Sequence, residues 1–345
     1  MRLSDFDFDL PRESIAQEPL ANRDASRLLI LDRQSDLLGH SLFRDLPTLL
    51  KPGDLLVLNR SRVLPARLLG TLVGGGKAEV LLLRDCGGSR AGSWEAFLRP
   101  GRRLRPGDVV RVADDLAVHV ETRALAEDGR RRVRLESPDL DLALKHHGRM
   151  PLPPYVRRAA TALDDERYQT VFAKEPGSVA APTAGLHFTS ALFGRLKERG
   201  IETTEIVLHV GPGTFQPVKV DDVTRHTVAA ESFEIPEAAA QAIRAARLRG
   251  GRVVAVGSTV VRTLETAALP DRNVAPGPGE TDLVVTPGRP FRIVDALVTN
   301  FHLPRSSLLL LVSAFVGRER VLAAYAEAIS RGYRFYSYGD AMLIV

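Results

Sequence analysis

The chain has 345 residues, 44% of them hydrophobic and 26% charged, a globular balance that excludes a disordered or fibrous protein. A single core stops growing near about 250–300 residues, so this length calls for two domains or one domain with a large insertion. The net charge of +5 is local: residues 60–150 carry 18 basic and 12 acidic side chains, the remainder 29 and 30.

That basic segment is either a solvated surface or an anion-binding face. Only six of the 47 basic residues are lysine. Arginine suits phosphate and planar partners, although a GC-rich genome produces the same bias. The single cysteine, Cys86, excludes a disulfide framework and a cysteine-cluster metal site. Leu308 to Val316 is an apolar run of nine, well short of the ~20 residues of a membrane span, so it is expected to be buried. Met1 to Leu10 holds three aspartates and no apolar stretch, so no secretory leader is expected and the compartment is expected to be the cytoplasm.

In chain order, Arg27 to Asp32 predicts a strand, Leu42 to Leu50 a helix ended by Pro52-Gly53, and Asp54 to Asn59 a buried strand. Between 66 and 137 the pattern changes to short, mostly alternating runs. Turn signals such as Gly74-Gly75-Gly76, Pro106-Gly107 and Asp128-Gly129 separate them, predicting a small antiparallel barrel. Met150 to Tyr155 (MPLPPY) is a rigid linker. Helices are then predicted over 164–173, 189–199, 236–249, 259–268 and 319–331, with Gly200 as a stop for the second. Strands are predicted over 202–210, 252–257, 281–286 and 291–299 and at the end of the chain, and 270–280 reads as a surface loop. Alternating helices and strands give an α/β class: a mixed, largely parallel sheet with the small barrel inserted. The expected division is 1–59 with 150–345 as a discontinuous α/β catalytic domain, and 60–149 as the inserted barrel.

Common motifs are missing. There is no GxxxxGK[ST], no GxSxG and no HExxH, and Gln216 stands where a dinucleotide loop after Gly211 and Gly213 needs its third glycine. Adjacent His146 and His147 suit neither helix-face nor strand-face chelation, so no metal is expected. Four dense segments remain. GSVAAPTAGLHFT (177–189) leads into a helix; it is either an anion site with His187 moving protons or a tight loop with a packed histidine. LHVGPGTFQPV (208–218) follows a strand end, where α/β sheets bind ligands, and is otherwise a simple turn. TNFHLP (299–304) is another strand end, carrying Asn300 and His302. YRFYSYGD (333–340) is either a base-stacking platform or an amphipathic aromatic strand.

Together with IAQEP (15–19), GDLLVLNRSRVLPARL (53–68), LPPYVRR (152–158) and VGSTVVRTLE (256–265), these segments resemble the S-adenosylmethionine:tRNA ribosyltransferase-isomerases of queuosine biosynthesis nearly end to end. The resemblance implies an enzyme acting on tRNA that bears 7-aminomethyl-7-deazaguanine at the wobble position. It would transfer and isomerise the ribosyl part of S-adenosylmethionine, giving epoxyqueuosine-tRNA, adenine and methionine. It implies an α/β domain with an inserted barrel, S-adenosylmethionine as cosubstrate rather than a resident cofactor, no metal, no membrane and no obligate protein partner. Two other readings are an S-adenosylmethionine-dependent RNA methyltransferase and a non-catalytic RNA-binding protein.

That reaction needs a base beside the sulfonium, a proton or donor for departing adenine, and a neutral amine. The expected catalytic residues are His187, His209 and His302. Thr183, Gly185, Gly211, Gly213 and Thr214 are expected to hold the cosubstrate. Arg102, Arg103, Arg105, Arg130, Arg131 and Arg132 are expected to meet tRNA phosphates. Arg262 and Glu265, three apart on one helix, are either a substrate contact or a helix pair. The family's usual His-x-Met-His-x-Glu appears as His226-Thr227-Val228-Ala229-Ala230-Glu231, with Ala229 for the second histidine. Its usual Asn-Asp-Thr-Arg appears as Asn59-Arg60-Ser61-Arg62.

Overall fold

The computed structural model describes residues 1–345 except 36–37, 88–91, 102, 125–128, 212 and 214–217. Strand β1 (Arg27–Leu31) turns back as β2 (Leu38–Leu42) and is followed by the short helix α1 (Leu46–Leu49) and by β3 (Leu55–Asn59) and β4 (Ser61–Val63). Six strands then follow: β5 (Arg67–Leu72), β6 (Lys77–Asp85), β7 (Ser93–Arg99), β8 (Val109–Ala113), β9 (Leu116–Val120) and β10 (Arg131–Glu136). After α2 (Leu140–His147) come α3 (Ala162–Arg167), β11 (Glu175–Ser178), α4 (Ser190–Glu198), β12 (Glu202–Leu208), β13 (Glu231–Ile235) and α5 (Glu237–Leu248). The chain closes with β14 (Val253–Val256), α6 (Ser258–Thr266), β15 (Gly277–Thr281), β16 (Ala296–Asn300), α7 (Ser307–Val316), α8 (Arg318–Ser330) and β17 (Ala341–Ile344).

Nine strands form one mixed sheet in the order β15-β13-β12-β3-β14-β16-β17-β1-β2. Its centre, β12-β3-β14-β16, is parallel throughout, and antiparallel neighbours flank it toward both edges. Central strands buried on both faces should be continuously apolar. In β3, Leu55 and Val57 enter the core beneath α5 to α8, while Leu56 and Leu58 enter the core shared with α1 and α4. The Leu308–Val316 run is α7, buried along most of its length. Strand β17 lies between β16 and β1, pairing antiparallel with one and parallel with the other.

The six strands after β4 close into an antiparallel barrel, β10-β7-β6-β5-β8-β9. Leu68, Val80, Ala96, Leu98, Val118 and Val133 fill it. The barrel is tied to the rest of the chain by β4, which pairs with β11, and by a backbone bridge between Arg67 and Arg149.

Several local expectations change. Over 42–50 the helical stretch starts one residue late, because Leu42 is spent on the β1 ladder, and opens with a 3₁₀ turn (Phe43–Asp45) before α1. Helix α3 ends at Arg167 because Gln169 instead brackets Val63, accepting from its N–H (3.0 Å) and donating to its carbonyl (2.7 Å). Strand β15 occupies 277–281 in place of 281–286, and so includes part of the expected loop. The 333–340 segment is not a strand; Tyr333, Phe335, Tyr336 and Tyr338 are buried in it, and Tyr336 adopts φ 74°.

Candidate active site

Because β3, β12, β14 and β16 are parallel, their C-terminal ends share one rim, the usual ligand position in an open α/β sheet. Asn59 ends β3 and stitches the rim. It accepts from the N–H groups of Ser61 (3.1 Å) and Leu208 (3.0 Å), and it donates to the Leu208 carbonyl (3.0 Å) and to Thr259 Oγ1 (3.4 Å). Ser178 Oγ donates to Ser61 Oγ (2.9 Å) and accepts from Val210 N–H (3.0 Å), holding the turn after β12.

A small central cavity of ≈ 40 Å³ lies over the rim, lined by Thr183, Gly257, Thr259, Asn300, His302 and Tyr336 among others. Behind it runs a polar relay. Thr183 Oγ1 donates to Asn300 Oδ1 (2.9 Å), Asn300 Nδ2 donates to His187 Nε2 (3.1 Å), and His187 Nδ1 meets Ser26 Oγ (2.7 Å). His187 also stacks on Phe43 at 4.9 Å. Burial above all, with Arg23 and Arg334 nearby, lowers its pKa to about 3. It is therefore neutral, with both ring nitrogens engaged: Nε2 accepts, so Nδ1 carries the proton. His302 is likewise buried and lowered to about 3 by desolvation, with Thr299 Oγ1 and Tyr325 OH each at 3.4 Å from a ring nitrogen.

His209 belongs to a different space. A cleft of ≈ 600 Å³ separates the barrel from the end of β12, with Trp94 and Glu95 on one wall and His209, Gly211, Gly213, His226 and Glu231 on the other. That volume is ordinary for a small-molecule site. His209 Nδ1 and His226 Nε2 are buried and, among the described residues, unpartnered. Burial lowers both pKa values, that of His209 against the raising effect of Glu175. His209 lies against Gly177, whose φ is 141° and where a Cβ would come within 2.6 Å of the ring. A third small pocket, sharing Gly213 and Glu231 with the cleft and Ser258 and Thr259 with the central cavity, joins the two.

Glu231 faces this junction. It accepts from Gly211 N–H (2.7 Å) and pairs with Arg262, which also donates to the carbonyls of Leu283 (2.9 Å) and Thr281 (3.3 Å). Glu265 instead accepts from the N–H groups of Arg292 (2.8 Å), Ile293 (3.0 Å) and Val294 (3.0 Å). The Arg262–Glu265 helix pair is therefore not formed: Arg262 pairs with the Glu231 carboxylate, and Glu265 caps backbone N–H groups.

Gly211 and Gly213 leave room: added Cβ atoms would meet nothing closer than 3.5 Å. Gly185 is a packing glycine, where a Cβ would press on Phe172 (2.7 Å) and Thr170 (2.8 Å). Thr214 lies outside the described residues, as does Arg102. On the barrel, Arg103, Arg105 and Arg132 are exposed. Arg130 pairs with Glu95 (3.0 Å), and Arg131 donates to the carbonyls of Gly101 and Leu104. Sequence reading gave Asn300, Ser26 and Glu231 no role. Asn300 sits two residues before His302 at a strand end, a usable signal, whereas nothing local marks Ser26.

A cleft at the rim of a parallel sheet, walled by an inserted barrel, defines an α/β enzyme of two-part build. The family model described as "Queuosine biosynthesis protein" matches residues 3–344. The S-adenosylmethionine:tRNA ribosyltransferase-isomerase of Anaeromyxobacter dehalogenans (strain 2CP-C) is 54% identical, covering 100% of this chain and 99% of its own. The protein of the same name from Heliobacterium modesticaldum is 52% identical, with both chains fully covered. A crystal structure of S-adenosylmethionine tRNA ribosyltransferase from Thermotoga maritima, 39% identical, superposes with a TM-score of 0.57 over 99% of this chain and 100% of that one. The chain belongs to the queuosine biosynthesis family that these enzymes represent.

Proposed function

We propose that the protein is an S-adenosylmethionine:tRNA ribosyltransferase-isomerase working in the cytoplasm. Its substrate is tRNA carrying 7-aminomethyl-7-deazaguanine at the wobble position, and its products are epoxyqueuosine-tRNA, adenine and methionine. Family membership over the whole chain supports this most directly. Among the described residues no helix is long and apolar enough to cross a membrane.

The chain works as two units, 1–59 with 150–345 and the barrel-bearing 60–149, with chemistry between them. S-adenosylmethionine occupies the cleft, its backbone contacts coming from the glycine turn of Gly211, Gly213 and Thr214. Thr183 and Gly185 shape the far side, Gly185 through its packing. The sulfonium acidifies the neighbouring ribose methylene, so a neutral imidazole suffices as base. His209 meets that requirement best: its pKa is lowered, and its ring lines the cleft. His187 orients Asn300 and Thr183, and His302 lines the inner wall. Arg103, Arg105 and Arg132 meet tRNA phosphates, while Arg130 and Arg131 brace the barrel that presents them.

Incubating the protein with S-adenosylmethionine and precursor-bearing tRNA, then analysing products by mass spectrometry, tests the assignment. Adenine and methionine should appear one for one with modified tRNA. Release of S-adenosylhomocysteine would replace the assignment by a methyltransferase.

A further inference from the structure

The outer face of the barrel carries a second built surface. Side chains of a strand alternate between faces, so register fixes which residues stand side by side. In β5, β6 and β7, Leu68, Val80, Ala96 and Leu98 point inward. The outward set forms two rows. Arg67 pairs with Leu81 and Leu81 with Phe97; Leu69 pairs with Glu79 and Glu79 with Arg99. All six border one groove of ≈ 1020 Å³, roofed by the proline-rich segment 150–154. The roof is pinned to β5 by paired backbone bonds between Arg67 and Arg149 (3.1 and 2.9 Å) and by Arg67 donating to the Leu152 carbonyl (3.1 Å).

The charge is one-sided. Arg67, Arg99, Arg131, Arg149 and Arg158 line the groove against, among the described residues, the single carboxylate of Glu79, which Arg67 approaches at 3.6 Å. Arg158 is already held by Asp164. Arg99 and Arg149 are exposed, and among the described residues their side chains have no partner. Between these cations stand Leu69, 40% exposed, and the half-buried Leu81 and Phe97, the last without an aromatic neighbour among the described residues. An apolar, aromatic strip flanked by exposed arginines is the composition of a single-stranded nucleic-acid surface: a base stacks on the ring while cations follow the backbone. The groove also abuts the active site. Segment 150–155 runs from the groove roof to Tyr155 in the central cavity, and Val179 of the groove is followed by Ala180 and Ala181 of that cavity.

We infer that the outer face of β5–β7 is a nucleotide subsite, which takes an unstacked base of the RNA loop adjoining the base being modified. It stacks that base on Phe97 and holds its phosphates with Arg99 and Arg149. Glu79 offers an acceptor to a base amino group or a ribose hydroxyl. This inference rests on the proposed tRNA reaction.

The test is fluorescence anisotropy of the full-length protein with a labelled, unmodified anticodon stem–loop RNA across a salt series. Phe97→Ala should weaken binding roughly 5- to 100-fold, and Phe97→Trp should restore it. Arg99→Ala with Arg149→Ala should flatten the slope of log affinity against log salt by about one to two units. S-adenosylmethionine binding should be unchanged in all three. Wild-type RNA affinity and slope in Phe97→Ala and in the arginine pair would overturn the subsite. Adenine release by those same variants would show that the reaction assignment stands regardless.

Discussion

The two histidine regions of the site are built in opposite ways. Around His187 every polar atom is accounted for: Ser26, Asn300, Thr183 and the Phe43 ring enclose a neutral imidazole. Around His209 and His226 the barrel stands off, and two buried ring nitrogens have no partner among the described residues. Buried polar groups are normally satisfied, because leaving one unmade costs about 1–3 kcal/mol. We read the first region as framework and the second as the open side of the proposed site.

The contrast is broken most sharply at His209. His209→Ala should lower turnover by roughly 10²–10⁴-fold with tRNA affinity and melting temperature nearly unchanged. A variant that turns over like the parent would mean that the unpartnered nitrogen has no part in proton transfer. Next comes the charge at the junction. Arg262→Ala leaves Glu231 buried without its cation and should cost about 3–5 kcal/mol in urea unfolding. A smaller change is expected on the framework side. His187→Ala should cost about 1–3 kcal/mol of stability, with turnover per folded molecule close to the parent's. A large loss of turnover at full stability would move His187 into the chemistry.

The last effect is set by pH and accumulates across the titration range. His187 and His302 titrate near 3 in the folded chain, against 6.5 when exposed. Below 6.5 the unfolded chain takes up protons that the folded chain refuses. Stability should therefore be full above pH 6.5 and fall toward pH 3 by about 1.4 kcal/mol per pH unit for each histidine. Replacing His187 should remove one proton from the slope of stability against pH between pH 6 and 4; an unaltered slope would show that its ring is not held neutral.

Much of the sheet and barrel was legible in the sequence because both rest on local periodicity and turn residues. DLLVLN, a short apolar run just after Pro52-Gly53, read as a buried strand, and the glycine turns between 74 and 129 spaced the barrel strands. What escaped depended on distant partners. Strand β13, ESFEI, puts Glu231 on its inward side, where Arg262 and the Gly211 N–H, both distant in sequence, meet it. Strand β15 contains Gly277, Pro278 and Gly279 and reads as a loop. It is an edge strand, and the Phe233 ring fills the space above Gly279, 2.5 Å from where a Cβ would be. The segments of the site were visible as dense, unusual runs. Their division into a closed relay and an open cleft was not, since it depends on which nitrogen finds a partner more than a hundred residues away.

The position of β17 has a consequence for biosynthesis. β1 is synthesised more than 300 residues before its parallel neighbour, Leu28 lying beside Ala341. Until residues 341–344 emerge, β1 and β16 both expose an unpaired edge, the kind of edge that recruits other chains. The barrel, whose strands are contiguous in sequence, can close long before that point, whereas the large sheet waits for β17 to join β16 to β1. Chains that stop before residue 341 should therefore have a folded barrel and a split sheet, making a substrate for proteases rather than a weak enzyme.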